Sequence, residues 1–208
     1  MMLSMNNLYA ITDSHLLPGD KLFAAVAAAL KGGCKLVQYR DKSSDHSRRF
    51  AEAKQLLSLC AQHNAQLLIN DDVELAHTVG AQGVHLGQSD SKPLAARMRL
   101  GSQAIIGVTC HDSLALAGQA IKDSATYIAF GRFFPSSTKP NARPAPISLI
   151  SEARKAFSSI PIAVIGGITL DNGKQLLDAG ADMLAVCHSL FAADDIATQA
   201  KKFIDLKN

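Results

Sequence analysis

The chain has 208 residues, of which 48% are hydrophobic and 5% aromatic, and it contains no Trp. This size is sufficient for one domain with a substantial core, so we expect a single domain over residues 1–208. The net charge is only +3 and no long basic run is present, which excludes the electrostatic footprint typical of proteins that bind nucleic acid or a membrane surface.

The cysteines and the N-terminal segment bear on the compartment. The chain contains four cysteines, Cys34, Cys60, Cys110 and Cys187. Because they form no CxxC pair, they indicate reduced thiols and argue against a zinc site. Met1–Asn7 lacks the basic patch and apolar core of a signal peptide, and the longest apolar run, Leu22–Leu30, is too short to cross a bilayer. We therefore expect a cytoplasmic protein with no membrane partner, and the sequence leaves open whether it forms a homo-oligomer.

Strand-like apolar runs alternate with helical patterns along the whole chain. The runs lie at Leu8–Thr12, Leu36–Arg40, Gln66–Asn70, Gly83–Leu86, Ala104–Val108, Tyr127–Phe130, Pro161–Ile165 and Asp182–Cys187. The helical patterns start near Asp20 and continue near Ser44–His63, Asp72–Val79, Lys92–Leu100, Asp112–Lys122, Pro146–Phe157, Thr169–Ala179 and Asp194–Ile204. Short apolar strands between amphipathic helices are typical of a parallel sheet covered on both faces. Eight such units predict an α/β fold, a closed (β/α)₈ TIM barrel.

The chemistry of such barrels gathers at the carboxyl ends of the strands, so the polar residues at those ends are the candidates for function. The predicted second strand contains Gln38 and Arg40, which the two-residue period of a strand places on one side, and Lys42 joins them if the extended geometry continues past the strand. Charged side chains inside an otherwise apolar strand require a partner. A multiply charged anionic ligand would supply it.

Two aspartates follow neighbouring strands. Asp71 comes directly after the third strand and Asp90 follows the fourth, so a barrel brings both to one rim. Carboxylate oxygens are hard ligands suited to Mg²⁺ that also binds a phosphate chain. Asp72 is instead expected to cap the following helix at its N-terminus.

Two further segments are suited to anions. Gly166 and Gly167 follow the seventh strand, and Cys187 and His188 end the eighth, the usual place for a phosphate in this fold. The loop Gly131–Ala142 carries hydroxyl groups and one lysine beside stiffening prolines, and is predicted to close over an anion. Anion-binding groups on both sides of the barrel predict two separate anion sites, and hence two phosphorylated substrates.

These residues form an ordered set of motifs. The set comprises Gln38-x-Arg40-x-Lys42, Ile69-Asn70-Asp71, Gly83-Val84-His85-Leu86-Gly87-Gln88-x-Asp90, Gly107-Val108-Thr109-Cys110-His111, Phe130-Gly131 to Pro135, Thr138-Lys139-Pro140-x-Ala142 and Ile165-Gly166-Gly167-Ile168. It resembles the thiamine-phosphate synthases, in the same order and over nearly the whole chain. The resemblance implies a transferase that condenses hydroxymethylpyrimidine diphosphate with hydroxyethylthiazole phosphate, with Mg²⁺ as cofactor.

The resemblance also implies a role for each site residue. The residues implied around the diphosphate are Arg40, Lys42, Asn70, Thr109 and Lys139, with Asp71 and Asp90 on Mg²⁺ and Gln38 on the aminopyrimidine. Those implied for the thiazole phosphate are Gly166, Gly167, Ser136, Thr138, Cys187 and His188. Three departures from the family pattern are Arg132 in place of the usual Pro, Ser136 in place of Thr, and Cys187-His188 in place of an aliphatic-Ser pair.

The charges imply a dissociative reaction, in which Mg²⁺ and the basic residues stabilise the departing diphosphate and the thiazole nitrogen traps the pyrimidine cation. Two alternatives stay open. Thiazole tautomerases of the same superfamily tend to carry His where this chain has Arg132, and to lose the Thr-Lys-Pro pattern kept at Thr138–Pro140. The second is a non-catalytic binding or regulatory protein of the thiamine pathway, against which the intact Asp71, Asp90, Arg40 and Lys139 argue.

Overall fold

The computed structural model describes residues 6–135 and 144–207, and its strands close into a parallel barrel in the order β1 to β8. The strands are β1 Leu8–Ile11, β2 Leu36–Tyr39, β3 Gln66–Asn70, β4 Gly83–Leu86, β5 Ile105–His111, β6 Tyr127–Gly131, β7 Ile162–Ile165 and β8 Met183–Val186. Every neighbouring pair is parallel, and β8 closes on β1. The predicted (β/α)₈ TIM barrel is confirmed.

Helices cover the outside of the barrel. They are α1 Lys21–Lys31, α2 His46–Gln62, α3 Val73–Val79, α4 Pro93–Leu100, α5 Leu114–Lys122, α6 Ser148–Ala156, α7 Leu170–Asp178, α8 His188–Phe191 and α9 Ile196–Asp205. The short helix α8 was not predicted: β8 ends at Val186, and the chain turns into α8 where the sequence suggested a longer strand.

The alternation of side chains along each strand divides the core in two. Outward-facing residues such as Val37 and Ile69 belong to the large cluster packed beneath the helices. Inward-facing residues such as Leu36 and Leu68 belong to a smaller cluster that fills the barrel interior. This division is the packing expected when a parallel sheet is buried on both faces.

Side-chain caps set the start of several helices. The carboxylate of Asp72 accepts a hydrogen bond from Leu75 N at 2.9 Å, so its predicted capping role is confirmed. Asp45 and Asp195 cap α2 and α9 in the same way. The caps at Asp45 and Asp72 set where the loops after β2 and β3 end and their helices begin. Within residues 6–135 and 144–207, no helix has the length and apolar character needed to cross a bilayer.

Candidate active site

Arg40 lies at the mouth of the barrel directly after β2. Its Nη1 atom is 3.2 Å from Oδ2 of Asp13, which follows β1, and its backbone N–H donates to Thr12 Oγ1 at 2.9 Å. The Arg40 side chain is 21% exposed, so its guanidinium is largely shielded from solvent. The buried charge expected from the sequence therefore has a carboxylate partner within the chain, at the end of the neighbouring strand β1.

Lys42 lies two residues beyond Arg40 in the loop that follows β2. Its Nζ atom is 3.0 Å from Oδ2 of Asp71, and its side chain is 58% exposed. Asp71 has a positive φ of 64°, and its backbone N–H donates to the His85 carbonyl at 2.8 Å. This left-handed conformation is uncommon for a residue other than Gly. It sets the direction in which the Asp71 side chain leaves the backbone at the rim of the barrel.

Asp90 lies next to Asp71, as the barrel arrangement predicted. Burial raises the pKa of Asp90, and the hydrogen bond it shares with Asp71 raises it further. Burial also acts to raise the pKa of Asp71, but hydrogen bonds with Asp90 and Lys42 outweigh it and hold that pKa below its usual value. One oxygen of Asp90 is fixed by the Gly87 backbone N–H at 2.7 Å. A carboxyl pair that raises the pKa of one member is a favourable place for a cation.

The pair fits Mg²⁺ by its chemistry. No group of three or more His, Cys, Asp and Glu residues lies together in the part of the chain that the structure describes. Mg²⁺ is commonly held by only one or two carboxylates, with water and substrate phosphate completing its shell. Asp71 and Asp90 therefore match the donor set of a metal that arrives with a phosphorylated substrate.

Gln38 and Thr109 are joined by hydrogen bonds through the barrel interior. Gln38 is 2% exposed, and its Nε2 donates to the hydroxyl of Tyr9 at 2.5 Å. Thr109 Oγ1 lies 2.9 Å from His85 Nε2. The two ends are linked by Tyr127, whose hydroxyl is 2.8 Å from the Tyr9 hydroxyl and 2.8 Å from His85 Nδ1.

The two glycines directly after β7, Gly166 and Gly167, have a packing role. A Cβ atom on Gly166 would lie 2.2 Å from Cβ of Arg132, and one on Gly167 would lie 2.3 Å from the Pro135 carbonyl oxygen. Both glycines also have positive φ, 105° and 62°. Their lack of a side chain lets the segment after β6 pass directly over the end of β7.

The end of β8 is close to the Arg40 site. Cys187 packs against the interior cluster. Burial raises the pKa of its thiol to about 11, with a further increase from Asp13 and an opposing effect from Arg40. His188 is exposed and is the first residue of α8. Its expected position on a continuing strand is therefore wrong, because the strand ends before it.

The comparisons with known proteins show the family to which this chain belongs. Residues 8–190 match the family model described as Thiamine monophosphate synthase. The chain is 54% identical to a thiamine-phosphate synthase of Saccharophagus degradans over 202 residues, which cover 97% of this chain and 93% of that protein. This chain belongs to the thiamine monophosphate synthase family.

Solved structures agree with this membership. The thiamine phosphate pyrophosphorylase of Pyrococcus furiosus superposes with a TM-score of 0.86 at 30% identity, covering 96% of this chain and 94% of that chain. A second thiamine phosphate pyrophosphorylase, from Bacteroides thetaiotaomicron, has a TM-score of 0.67 at 17% identity, with 97% of each chain covered. The second likeness concerns the fold alone.

Three residues predicted for the synthase site fall on the segment 136–143. Ser136, Thr138 and Lys139 lie outside the described residues, so their assignments stay predictions. The two flanks of the segment are described. Phe134 N–H donates to the Gly166 carbonyl at 3.0 Å, and Ala145 N–H donates to the Arg132 carbonyl at 2.7 Å. The segment therefore leaves and rejoins the barrel beside the ends of β6 and β7.

The sequence interpretation missed several residues at the same mouth. Asp13 was not considered, although Thr12-Asp13 follows β1 as Arg40 follows β2, and the pairing of Ile11 with Gln38 brings the two strand ends together. Tyr9 and Tyr127 were treated only as parts of apolar runs. A two-residue period through β1 and β6 would have placed both side chains in the interior.

The loop that carries Arg40 and Lys42 is anchored between them. Asp41 has a side chain only 1% exposed, and its Oδ2 atom lies 2.7 Å from Nη2 of Arg48 on α2. Its Oδ1 atom accepts from Ser43 N–H at 2.7 Å. Because the Asp41 side chain points away from the mouth and toward α2, the side chains of Arg40 and Lys42 point toward the mouth.

Proposed function

We propose that this chain condenses hydroxymethylpyrimidine diphosphate with hydroxyethylthiazole phosphate, giving thiamine phosphate and diphosphate. Membership of the thiamine monophosphate synthase family supports this transferase activity. The observation that carries the assignment to this site is the meeting of Arg40 and Lys42 with Asp71 and Asp90 at one mouth of the barrel. Two cations and a carboxyl pair are suited to a metal-bound diphosphate.

The diphosphate is assigned to the β2 and β3 side of the mouth. Arg40 and Lys42 are paired with Asp13 and Asp71 in the described chain. When a diphosphate binds with a divalent cation, each basic side chain could contact phosphate oxygens, either in place of its carboxylate partner or in addition to it. Asn70 and Thr109 are assigned as neutral donors to the same group. Lys139 is assigned to it from the family resemblance.

Asp71 and Asp90 are assigned as the residues that hold Mg²⁺. When bound, the metal would supply positive charge beside the leaving diphosphate. The chain itself contributes the orientation of both carboxylates, through the left-handed backbone of Asp71 and the Gly87 N–H that fixes one oxygen of Asp90. An added cation would lower the raised pKa of Asp90, because positive charge stabilises its ionised carboxylate.

The aminopyrimidine is assigned to the barrel mouth above Gln38. A primary amide offers one acceptor and two donors, which suits an amino group next to a ring nitrogen. The adjacent interior positions Ala129 and Ala185 are small, and Ile165 at the end of β7 is 38% exposed. An apolar floor with one polar amide is the usual composition of a site that orients an aromatic ring.

The thiazole phosphate is assigned to the opposite side, between the ends of β7 and β8. Backbone N–H groups near Gly166 and Gly167, and at Cys187 and His188, are the proposed donors. Contacts from backbone groups do not depend on the departure at Cys187-His188 from the family pattern. Ser136 and Thr138 are assigned to the same phosphate from the resemblance, since the described flanks of their segment lie beside Gly166 and Gly167.

The proposed reaction is dissociative. The bond between the pyrimidine methylene carbon and the diphosphate oxygen breaks, and its electron pair leaves on the diphosphate, where Arg40, Lys42 and Lys139 stabilise the charge. The thiazole nitrogen then donates its lone pair to the pyrimidine cation and forms the carbon–nitrogen bond. Because no proton is removed in the bond-forming step, no general base is required.

We place the reaction in the cytoplasm, because the four cysteines are free thiols.

The test is product formation by the purified chain. Both substrates with Mg²⁺ should give thiamine phosphate and diphosphate in equal amounts, detected by chromatography and by a coupled diphosphate assay. Omission of either substrate, and chelation of the metal, are the controls. Isomerisation of a thiazole phosphate without condensation would contradict the proposal and favour the tautomerase, whereas binding without turnover would favour the regulatory protein.

A further inference from the structure

A series of hydrogen bonds, here called the interior chain, crosses the barrel from Gln38 to Thr109. It runs from Gln38 through Tyr9, Tyr127 and His85 to Thr109, with donor–acceptor distances of 2.5, 2.8, 2.8 and 2.9 Å. Gln38, Tyr9 and Tyr127 are at most 2% exposed. These hydrogen bonds therefore join two residues assigned to opposite ends of one substrate, through two tyrosines that are shielded from water and the partly buried His85.

The residues around this interior chain leave room for its aromatic rings. A Cβ atom on Gly107 would lie 2.0 Å from Cζ of Tyr127, so only Gly on β5 leaves room for that ring. The Tyr9 and Tyr127 rings meet edge to face at 5.9 Å, and His85 stacks on Tyr127 at 5.6 Å. Burial raises the pKa of both tyrosines, so both hydroxyls stay protonated. Each hydroxyl thus has one hydrogen to donate.

A single hydrogen on each hydroxyl gives the interior chain a direction. Gln38 donates to Tyr9, so the Tyr9 hydrogen is left for Tyr127 and the Tyr127 hydrogen for His85 Nδ1. His85 then carries its own hydrogen on Nε2 and donates it to Thr109. The Thr109 hydrogen is left to donate to a ligand oxygen. For a neutral His85 ring, reversing every bond is the other complete arrangement, and it requires the Gln38 amide to rotate by half a turn.

We infer that the interior chain couples recognition of the aminopyrimidine at Gln38 to recognition of the diphosphate at Thr109. This inference rests on the proposed function. An anionic oxygen at Thr109 needs a donor, so it selects the direction in which Thr109 Oγ1 accepts from His85. The same direction fixes which position of the Gln38 amide is the acceptor and which is the donor. Tyr9, Tyr127 and His85 are accordingly positioning residues that act through the two ends.

The coupling is measurable with two fragments. Calorimetry gives the affinity for hydroxymethylpyrimidine with and without saturating inorganic diphosphate and Mg²⁺, at a pH where the protein is folded. We expect diphosphate to tighten pyrimidine binding about 3- to 10-fold, the range of one oriented hydrogen bond, and the reciprocal experiment to give the same factor. Direct contact between the fragments contributes to this factor, so variants are needed to isolate the contribution of the interior chain.

Tyr127→Phe and Tyr9→Phe each interrupt the interior chain while keeping the ring. We expect both to reduce the coupling factor toward one. Tyr39→Phe is the matched control. Tyr39 is a buried tyrosine next to Gln38 on β2, but its side chain is on the outer side of the strand, where its hydroxyl donates to Glu52 at 2.6 Å. It removes a buried hydroxyl as the other variants do, and should leave the coupling factor unchanged.

Nitrogen NMR of the His85 ring gives a second readout. With Mg²⁺ and diphosphate bound, the proton should reside on Nε2 and not on Nδ1. Equal coupling in the parent protein and both chain-breaking variants, no coupling in the parent, or a proton on Nδ1 would each overturn the inference. A parent protein that forms no thiamine phosphate would instead overturn the proposed function, because that assay does not involve the variants.

Discussion

Lys42 Nζ lies 3.0 Å from Asp71 Oδ2, so a cation assigned to the diphosphate is paired with a carboxylate assigned to the metal. The two residues follow adjacent strands, and their contact joins the two halves of the proposed diphosphate site. Substrate binding must therefore rearrange this ion pair rather than fill a set of independent side chains. The pair is partly exposed, which allows the rearrangement at modest cost.

Asp71→Asn tests the metal assignment. The substitution keeps the shape of the side chain but removes its charge, so turnover should fall at least about 100-fold, as expected for loss of a preorganised charge contact. Asp72→Asn is the matched control, because it removes a carboxylate from the neighbouring residue and Asn also caps helices. Asp72 Oδ2 lies 2.9 Å from Arg49 Nη2, so its charge is paired with a residue not assigned to the site. Steady-state kinetics over a range of Mg²⁺ concentrations provide the measurement. Near-normal turnover in Asp71→Asn would contradict the assignment.

Lys139→Ala separates the two proposed anion sites. Lys139 is assigned to the diphosphate, so kcat/KM for condensation should fall by roughly 10²–10³. Binding of hydroxyethylthiazole phosphate alone should be almost unchanged, because that phosphate is assigned mainly to backbone groups near Gly166 and Gly167. Calorimetry with the single ligand and kinetics with both give the comparison. If thiazole phosphate affinity falls as far as activity, the division into two sites is wrong.

The pyrimidine substituent tests the dissociative route. Replacing the methyl group of the pyrimidine substrate by trifluoromethyl withdraws electrons from the ring and destabilises a cation. The chemical step should therefore slow by several orders of magnitude, while binding of the analogue stays similar because the diphosphate contacts are retained. Single-turnover kinetics measure the step directly. An unchanged rate would exclude a cationic intermediate.

Asp41→Asn tests the anchor of the β2 loop through pH. Burial acts to raise the pKa of Asp41, but hydrogen bonds with Ser43 and the Arg48 guanidinium outweigh it and hold that pKa below its ordinary value. A lowered folded-state pKa stabilises the fold above the unfolded value of about 3.9, and the contribution is lost as the pH falls through the lowered pKa.

The free energy of unfolding of Asp41→Asn should therefore be about 1–3 kcal/mol smaller than that of the parent at neutral pH, and the difference should shrink in acid. Denaturant titrations at several pH values measure it. Asp194→Asn is the control, because Asp194 is exposed and makes no ion pair within the described residues. A difference that does not depend on pH would show that the charge of Asp41 is not responsible.

The sequence predicted the barrel and much of its mouth because both depend on short periods. The alternation Gln38, Arg40, Lys42 follows from an extended backbone that continues beyond the end of β2 at Tyr39, and the closeness of Asp71 and Asp90 follows from the order of adjacent strands. The pairing of Tyr9 with Tyr127 could not be predicted in this way. Their hydroxyls meet across the barrel from residues 118 positions apart, and no local pattern encodes that contact.

Two other features also escaped the sequence for physical reasons. Helix α8 has only four residues, too few to display a helical period. The glycines at 166 and 167 were interpreted as room for a phosphate, whereas Arg132 and Pro135 lie where their side chains would be. That contact depends on the path of a loop, which composition does not determine.

A crystal structure with thiamine phosphate, diphosphate and Mg²⁺ tests the central assignment most directly, because this product complex does not turn over. We predict diphosphate in contact with Arg40 and Lys42, the metal bound by Asp71 and Asp90, and the thiazole phosphate on the backbone near Gly166 and Gly167. Diphosphate beside Gly166, or a metal that contacts neither aspartate, would contradict the account of how this barrel mouth divides its two anions.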